Sequence, residues 1–127
     1  MKYLLAIYDD EARWPALDEE TQQAEIDAYW RLDHEAEATG ELIISQALAP
    51  STWASSVRVR GGEVLVTDGP FAETKEQLGG FYLLDCDDLA RAIEWASKVP
   101  AARNGRVEVR AVAEFERDDR PLAAESA

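Results

Sequence analysis

The sequence predicts a mixed α+β domain, and three observations carry that prediction. Strand-length apolar runs alternate with two longer segments of helical periodicity. Two valine-rich alternating runs flank the two-residue turn Gly61-Gly62, a hairpin signal. The resulting order is β-α-β, hairpin, β-α-β, which fits an antiparallel-rich sheet with helices on one face.

Tyr3 to Tyr8 is a short apolar run ended by Asp9-Asp10 and reads as a strand buried on both faces. Asp18 then stands as an N-cap before a periodic segment, Glu19 to Thr39, that Gly40 closes. Glu41 to Leu48 is a second strand, broken by Ala49-Pro50-Ser51-Thr52. The hairpin pairs Ser56–Arg60 with Glu63–Thr67, and Gly61-Gly62 supply the positive φ of its turn. Asp68-Gly69-Pro70-Phe71 reads as a turn, and Ala72 to Gln77 as about one turn of helix. Gly79-Gly80 then predicts a bulge or a close backbone approach ahead of the strand Phe81–Asp85. A second helix runs from Asp87 or Asp88 to about Val99 with a buried stripe of Leu89, Ala92, Ile93, Ala96 and Val99, and Pro100 stops it. Asn104-Gly105 turns the chain into a last strand, Arg106 to Phe115. Residues 1–115 thus make one domain, and 116–127 a loosely ordered tail without periodicity. The pattern is ferredoxin-like. Its two helices cover one sheet face, yet Tyr3–Tyr8 and Phe81–Leu84 are apolar on both. A second copy packed sheet to sheet would cover the other, so a homodimer is the expected state.

Charge narrows the partners. The 127 residues hold 26 acidic and 13 basic side chains, a formal net charge of −13. That repels phosphate backbones and anionic bilayers, which argues against nucleic acid and membrane surfaces. The N-terminal apolar run is too short for a secretory signal or a bilayer span, and Cys86 has no second cysteine to pair with. The expected location is cytoplasmic. No Cys/His cluster has metal-ligand spacing, and no glycine loop has phosphate-binding form, so neither metal nor cofactor is expected.

The segment from Val66 through Asp68-Gly69-Pro70-Phe71 to Tyr82 resembles the signature of the DGPF branch of YCII-related proteins. The likeness extends to MKYLLAIY at the start and to the valine hairpin. It continues through Ile93–Ala96, Pro100–Arg103 and Val107–Arg110. It implies a dimeric α+β barrel built from two ferredoxin-like units. It also implies genetic association with sigma factors of the extracytoplasmic-function type, and hence a sigma-factor-linked partner. Some members of the wider family keep a histidine and an aspartate suited to acid–base work. Members of this branch commonly carry His-Gly where this chain has Asn104-Gly105, and asparagine cannot shuttle a proton near neutral pH.

Several residues are candidates for chemistry, each with a plainer reading. Asp68 can cap its own turn, or serve as an acid or base at a strand end. Glu73 and Lys75, with Glu76, form a solvated charge cluster or touch a ligand. His34 is the sole histidine, the residue type suited to proton transfer near neutral pH, and lies beside Trp30 at the edge of the helix's apolar arc. Asp33 falls between Ile26, Tyr29 and Trp30 on the helical wheel, where a carboxylate needs an arginine or tyrosine partner or becomes a general acid. Neighbours in sequence diverge by about 100° on a helix, so Asp33 and His34 do not form a dyad. Arg58 and Arg60, and Arg106 and Arg110, share strand faces and could hold a carboxylate or phosphate, or form cross-strand ion pairs. Cys86, set among aspartates, is a poor nucleophile. Four tryptophans and four tyrosines could line a pocket for a planar ligand, or serve as core and interface.

Two functions follow. One is a cofactor-independent acid–base enzyme for a small organic acid, with Asp68, His34 or Asp33 in proton transfer. In it Arg58, Arg60 and Arg110 hold the anion, with Glu73 and Lys75 nearby. The other is a non-catalytic module that binds a small anionic or aromatic ligand, or a protein partner.

Overall fold

A computed structural model describes residues 1–70, 72 and 74–115. The strands are β1 (Lys2–Asp9), β2 (Leu42–Ala47), β3 (Ser55–Arg60), β4 (Glu63–Asp68), β5 (Gln77–Asp85) and β6 (Arg106–Ala111). The helices are the single turn α1 (Arg13–Ala16) and the longer α2 (Glu19–Thr39) and α3 (Leu89–Lys98). Strands β2-β5-β1-β6 form one sheet in that spatial order, and every adjacent pair is antiparallel. Strands β3 and β4 pair only with each other.

Local chemistry accounts for the element ends. The Asp18 carboxylate accepts from the Thr21 N–H at 2.8 Å, and Gly40 closes α2 in the left-handed region at φ 77°. Asp88 caps α3 through the Arg91 N–H, and Pro100 follows one residue after its last turn. Gly61 and Gly62 take φ of 56° and 80°, as the tight hairpin turn requires. Both roles expected of Gly79-Gly80 are present. Gly79 is the extra residue where the β1–β5 register shifts, and a Cβ on Gly80 would stand 2.8 Å from the Gln46 carbonyl oxygen.

The core lies between the sheet and the helices. Tyr3, Leu5 and Ile7 of β1 and Tyr82 and Leu84 of β5 meet Leu32 and Ala36 of α2 and Ala92, Trp95 and Ala96 of α3. Val107 and Val109 of β6 pack against this cluster. On the outer face the register aligns Ile44, Leu83, Leu4 and Arg110 in one row, and Gln46, Phe81, Ala6 and Glu108 in the next.

Several expectations need correction. The expected dimeric α+β barrel is not found: among the described residues the four-stranded sheet ends at β2 and β6 without closing, and the hairpin forms a separate sheet instead of extending it. What stands is a mixed α+β fold with antiparallel sheets and two main helices. In α3 the buried face is turned toward Trp95, 2% exposed, while Leu89 and Ile93 are each 51% exposed. The residues described between Ala72 and Gln77 form bends, not a helical turn, and Gln77 already belongs to β5. Strand β6 ends at Ala111, four residues before Phe115. The tail 116–127 lies outside the described residues.

Candidate functional site

Along its C-terminal half α2 packs on the sheet through Leu32 and Ala36, and toward its N-terminus it stands off. The space beneath is a cleft of about 860 Å³. Its floor is made of small residues: Gly80 of β5 pairs with Ala47 of β2 on one side and with Ile7 of β1 on the other, and Ser45 pairs with Tyr82. Over Gly80 and Ala47 no large side chain rises to meet the helix, while Tyr82 beside them reaches Asp33 of α2. The roof is one face of α2, where Ile26, Tyr29, Trp30 and Asp33 recur at helical spacing. Trp14 and Pro15 of α1 close one end.

Two polar groupings shape the walls. Arg13 donates to Asp9 Oδ2 at 2.8 and 3.0 Å and to Glu25 Oε1 at 2.7 Å, tying β1, α1 and α2 together. Those bonds, Glu25 first and then Asp9, hold the Arg13 guanidinium protonated even more firmly than usual. Next to them Glu11 accepts from the backbone N–H and hydroxyl of Ser51, both at 2.7 Å, while its own N–H donates to Gln77. This fixes the loop after β2 against the end of β1.

The second grouping is the pair Tyr82–Asp33. The Tyr82 hydroxyl donates to Asp33 Oδ1 at 2.5 Å. Burial above all, and then the Asp33 carboxylate, push the Tyr82 phenol well above its ordinary value, so it remains a proton donor. Burial likewise pushes Tyr29 up to about 12. Asp33 therefore has the tyrosine partner that its place on the helical wheel calls for. Its second oxygen takes no hydrogen bond among the described residues.

The other sequence candidates lie elsewhere. His34 is exposed on α2 and does not line the cleft. Asp68 is exposed at the end of β4, in register with Ser55, also outside the cleft. Arg58 and Arg60 are exposed on the hairpin, with Arg60 donating to the Val59 carbonyl, and Lys75 is exposed in the loop before β5. Arg110 pairs with Glu108 at 3.2 Å, and Arg106 with Glu76 at 3.0 Å, both near the outer face of β6. Glu73 lies outside the described residues. Asp33 alone among the proton-transfer candidates lines the cleft. The Asp9–Arg13–Glu25 network went unread in the sequence. Only the four-residue spacing of Asp9 and Arg13 hinted at it, because Glu25 arrives from another element. Cys86 is buried beside Glu41, and burial first of all pushes its thiol up to about 11.

Residues 1–116 match the YCII-related domain. The chain belongs to that family. The YCII-related domain here is 38% identical over 126 residues to an uncharacterised protein of Rhizobium meliloti (strain 1021), covering 95% of this chain and 99% of the relative. Among the described residues, no helix of this YCII-related domain is long and apolar enough to cross a membrane.

Proposed function

We propose that this YCII-related chain binds a small molecule in the cleft between α2 and the β2-β5-β1 floor. One observation carries the reading: a side-chain-free floor at Gly80 lies opposite an aromatic helix face, with the half-buried Asp33 carboxylate held in place by Tyr82. A concave, mostly apolar site with a few convergent polar groups is the usual form of a small-ligand pocket. Binding is favoured over acid–base catalysis because His34 and Asp68, the other proton-transfer candidates, lie outside the cleft, and Asp33 has only Tyr82 as a hydrogen-bond partner among the described residues. Amide-resolved NMR with a fragment library tests this. Hits should shift residues of α2 around Tyr29–Asp33 and of β5 around Gly79–Tyr82. Hits that cluster on the hairpin, or that leave these amides unmoved, defeat it.

We also assign the chain to the DGPF branch on its Asp68-Gly69-Pro70-Phe71 segment. Self-association of two copies is supported by the outer-face row Ile44, Leu83 and Leu4, and by the hairpin residues Val57, Val59, Val64 and Val66, each at least 58% exposed. Light scattering at micromolar concentration should give twice the chain mass, and a monomer rejects this part.

A further inference from the structure

The charge of the cleft identifies the class of ligand. Five carboxylates line it (Asp9, Asp10, Glu11, Glu25 and Asp33) against one guanidinium, Arg13, so five negative charges less one positive leave a formal −4. Arg13 is occupied by Asp9 and Glu25. Among the described residues neither lysine nor histidine lines the walls, and the exposed arginines of the hairpin and of β6 lie outside them. An organic anion entering here would meet like charge with no unoccupied guanidinium among the described lining residues, whereas a cation would meet net attraction.

The walls add a second preference. Trp30, three residues before Asp33 on α2, and Tyr29, four before, share the cleft-facing side with it. Aromatic faces attract ammonium groups through the ring quadrupole, and they stack on planar apolar bodies. Asp33 is the carboxylate best placed to receive an ammonium: Tyr82 fixes one oxygen, and the other is unbonded among the described residues. Asp9, Glu25 and Glu11, by comparison, already hold Arg13 or Ser51, and Asp10 accepts from the Ala12 N–H beside α1, off the helix that carries Trp30 and Tyr29.

We propose that the cleft takes an organic cation, a primary or secondary ammonium on an aromatic or planar apolar body, with the ammonium on Asp33 Oδ2 and the body against Trp30 and Tyr29. This rests on the small-molecule reading above and gives that reading a chemical identity. The site selects by charge, and Asp33 is its selecting residue.

Matched triples of probes test it on the full chain: an aryl-ethylammonium, the corresponding aryl-ethanol and the corresponding aryl-propionate, with phenyl, indolyl and naphthyl bodies. Affinities are read from the shifts of cleft amides. In at least one triple the ammonium should bind about tenfold or more tightly than the alcohol, with the propionate weakest. Raising the ionic strength to about 1 M, where the screening length falls to about 3 Å, should narrow that gap. Asp33→Asn keeps an acceptor for Tyr82 and removes the charge. It should bring the ammonium close to the alcohol, chiefly by weakening the ammonium. Alcohol or propionate binding in the cleft as tightly as the ammonium overturns the cation assignment and leaves the small-molecule reading standing. So does a preference that survives Asp33→Asn. If no probe shifts a cleft amide up to about 10 mM, an affinity too weak to serve a specific site, both readings fall.

Discussion

The two main helices lie on the same sheet and differ in how they use it. Helix α3 has 10 residues and buries Ala92, Trp95 and Ala96, so nearly every turn contributes to the core. Helix α2 has 21 residues and buries only Leu32 and Ala36, both in its second half. The difference lies as much in what waits beneath as in the helices themselves. Below α3 and the end of α2 are Leu5, Leu84 and Val109, large enough to fill the gap between layers. Below the start of α2 are Ser45, Ala47 and Gly80, which are not. A helix long enough to overhang a floor of small residues leaves a cavity, and a packed neighbour keeps it from collapsing.

The tryptophans give this comparison its sharpest test. Trp95 is 2% exposed, with Arg91 and Lys98 at 4.8 and 4.9 Å from its ring centroid, while Trp30 is 61% exposed above the cleft. Trp95→Ala should cost about 3–5 kcal/mol in urea unfolding, the usual range for a core aromatic. Leu32→Ala, in the packed half of α2, should cost about 2–4 kcal/mol by the same measurement. A loss below about 0.5 kcal/mol for Leu32→Ala would mean that α2 contributes little to the core even in its packed half.

Smaller effects probe the boundary between the packed and overhanging halves of α2. Tyr82→Phe strips the hydroxyl from a half-buried carboxylate and should cost about 1–2 kcal/mol, read from the shift of the urea midpoint. Glu41, at the edge of α3, is held below its ordinary value of 4.5 chiefly by its hydrogen bonds from Arg91. A depressed folded value means that the stability it contributes is full above about pH 4.5 and is lost as pH falls through the folded value. Arg91→Met should therefore be destabilised relative to the parent at neutral pH and converge with it in acid, as followed by unfolding at a series of pH values. A gap that persists at low pH would assign the loss to packing on Trp95. Trp30→Ala should be the mildest, within about 0.5 kcal/mol in stability, because an exposed side chain has little burial to lose. Its effect should appear instead as weakened binding in the cleft.

Much of the frame was legible because it is set by local rules. Asp18 and Gly40 bracket α2, Gly61-Gly62 turn the hairpin, Asp88 starts α3, and each acts within a few residues of itself. Asp33 was legible as an anomaly, a carboxylate on an apolar arc, and its tyrosine partner sits 49 residues away. What escaped was non-local. The rotation of α3 toward Trp95 depends on the sheet it meets, since Leu89 and Ile93 fit the helical period equally well. Barrel closure was implied by the family likeness, and the apolar residues on both strand faces, which pointed to a dimer, do not determine which strands join. The cleft escaped as well, because a cavity is defined by side chains that are small. Ser45, Ala47 and Gly80 carry no signal until their partners across the sheet are known.

The hairpin β3–β4 shares no ladder with the four-stranded sheet, and its strands are exposed along almost their whole length. Its cohesion is a separate account from that of the core, and amide exchange would register the separation directly. Protons on Arg58, Arg60 and Leu65, which face the partner strand in the hairpin ladder, should exchange through local opening at rates indifferent to denaturant, while those of β1 and β5 wait for global unfolding. Over evolutionary time the same independence frees the hairpin to vary in length and surface without disturbing the layer beneath α3. It is the part of this molecule that can acquire a new partner at least cost to the fold.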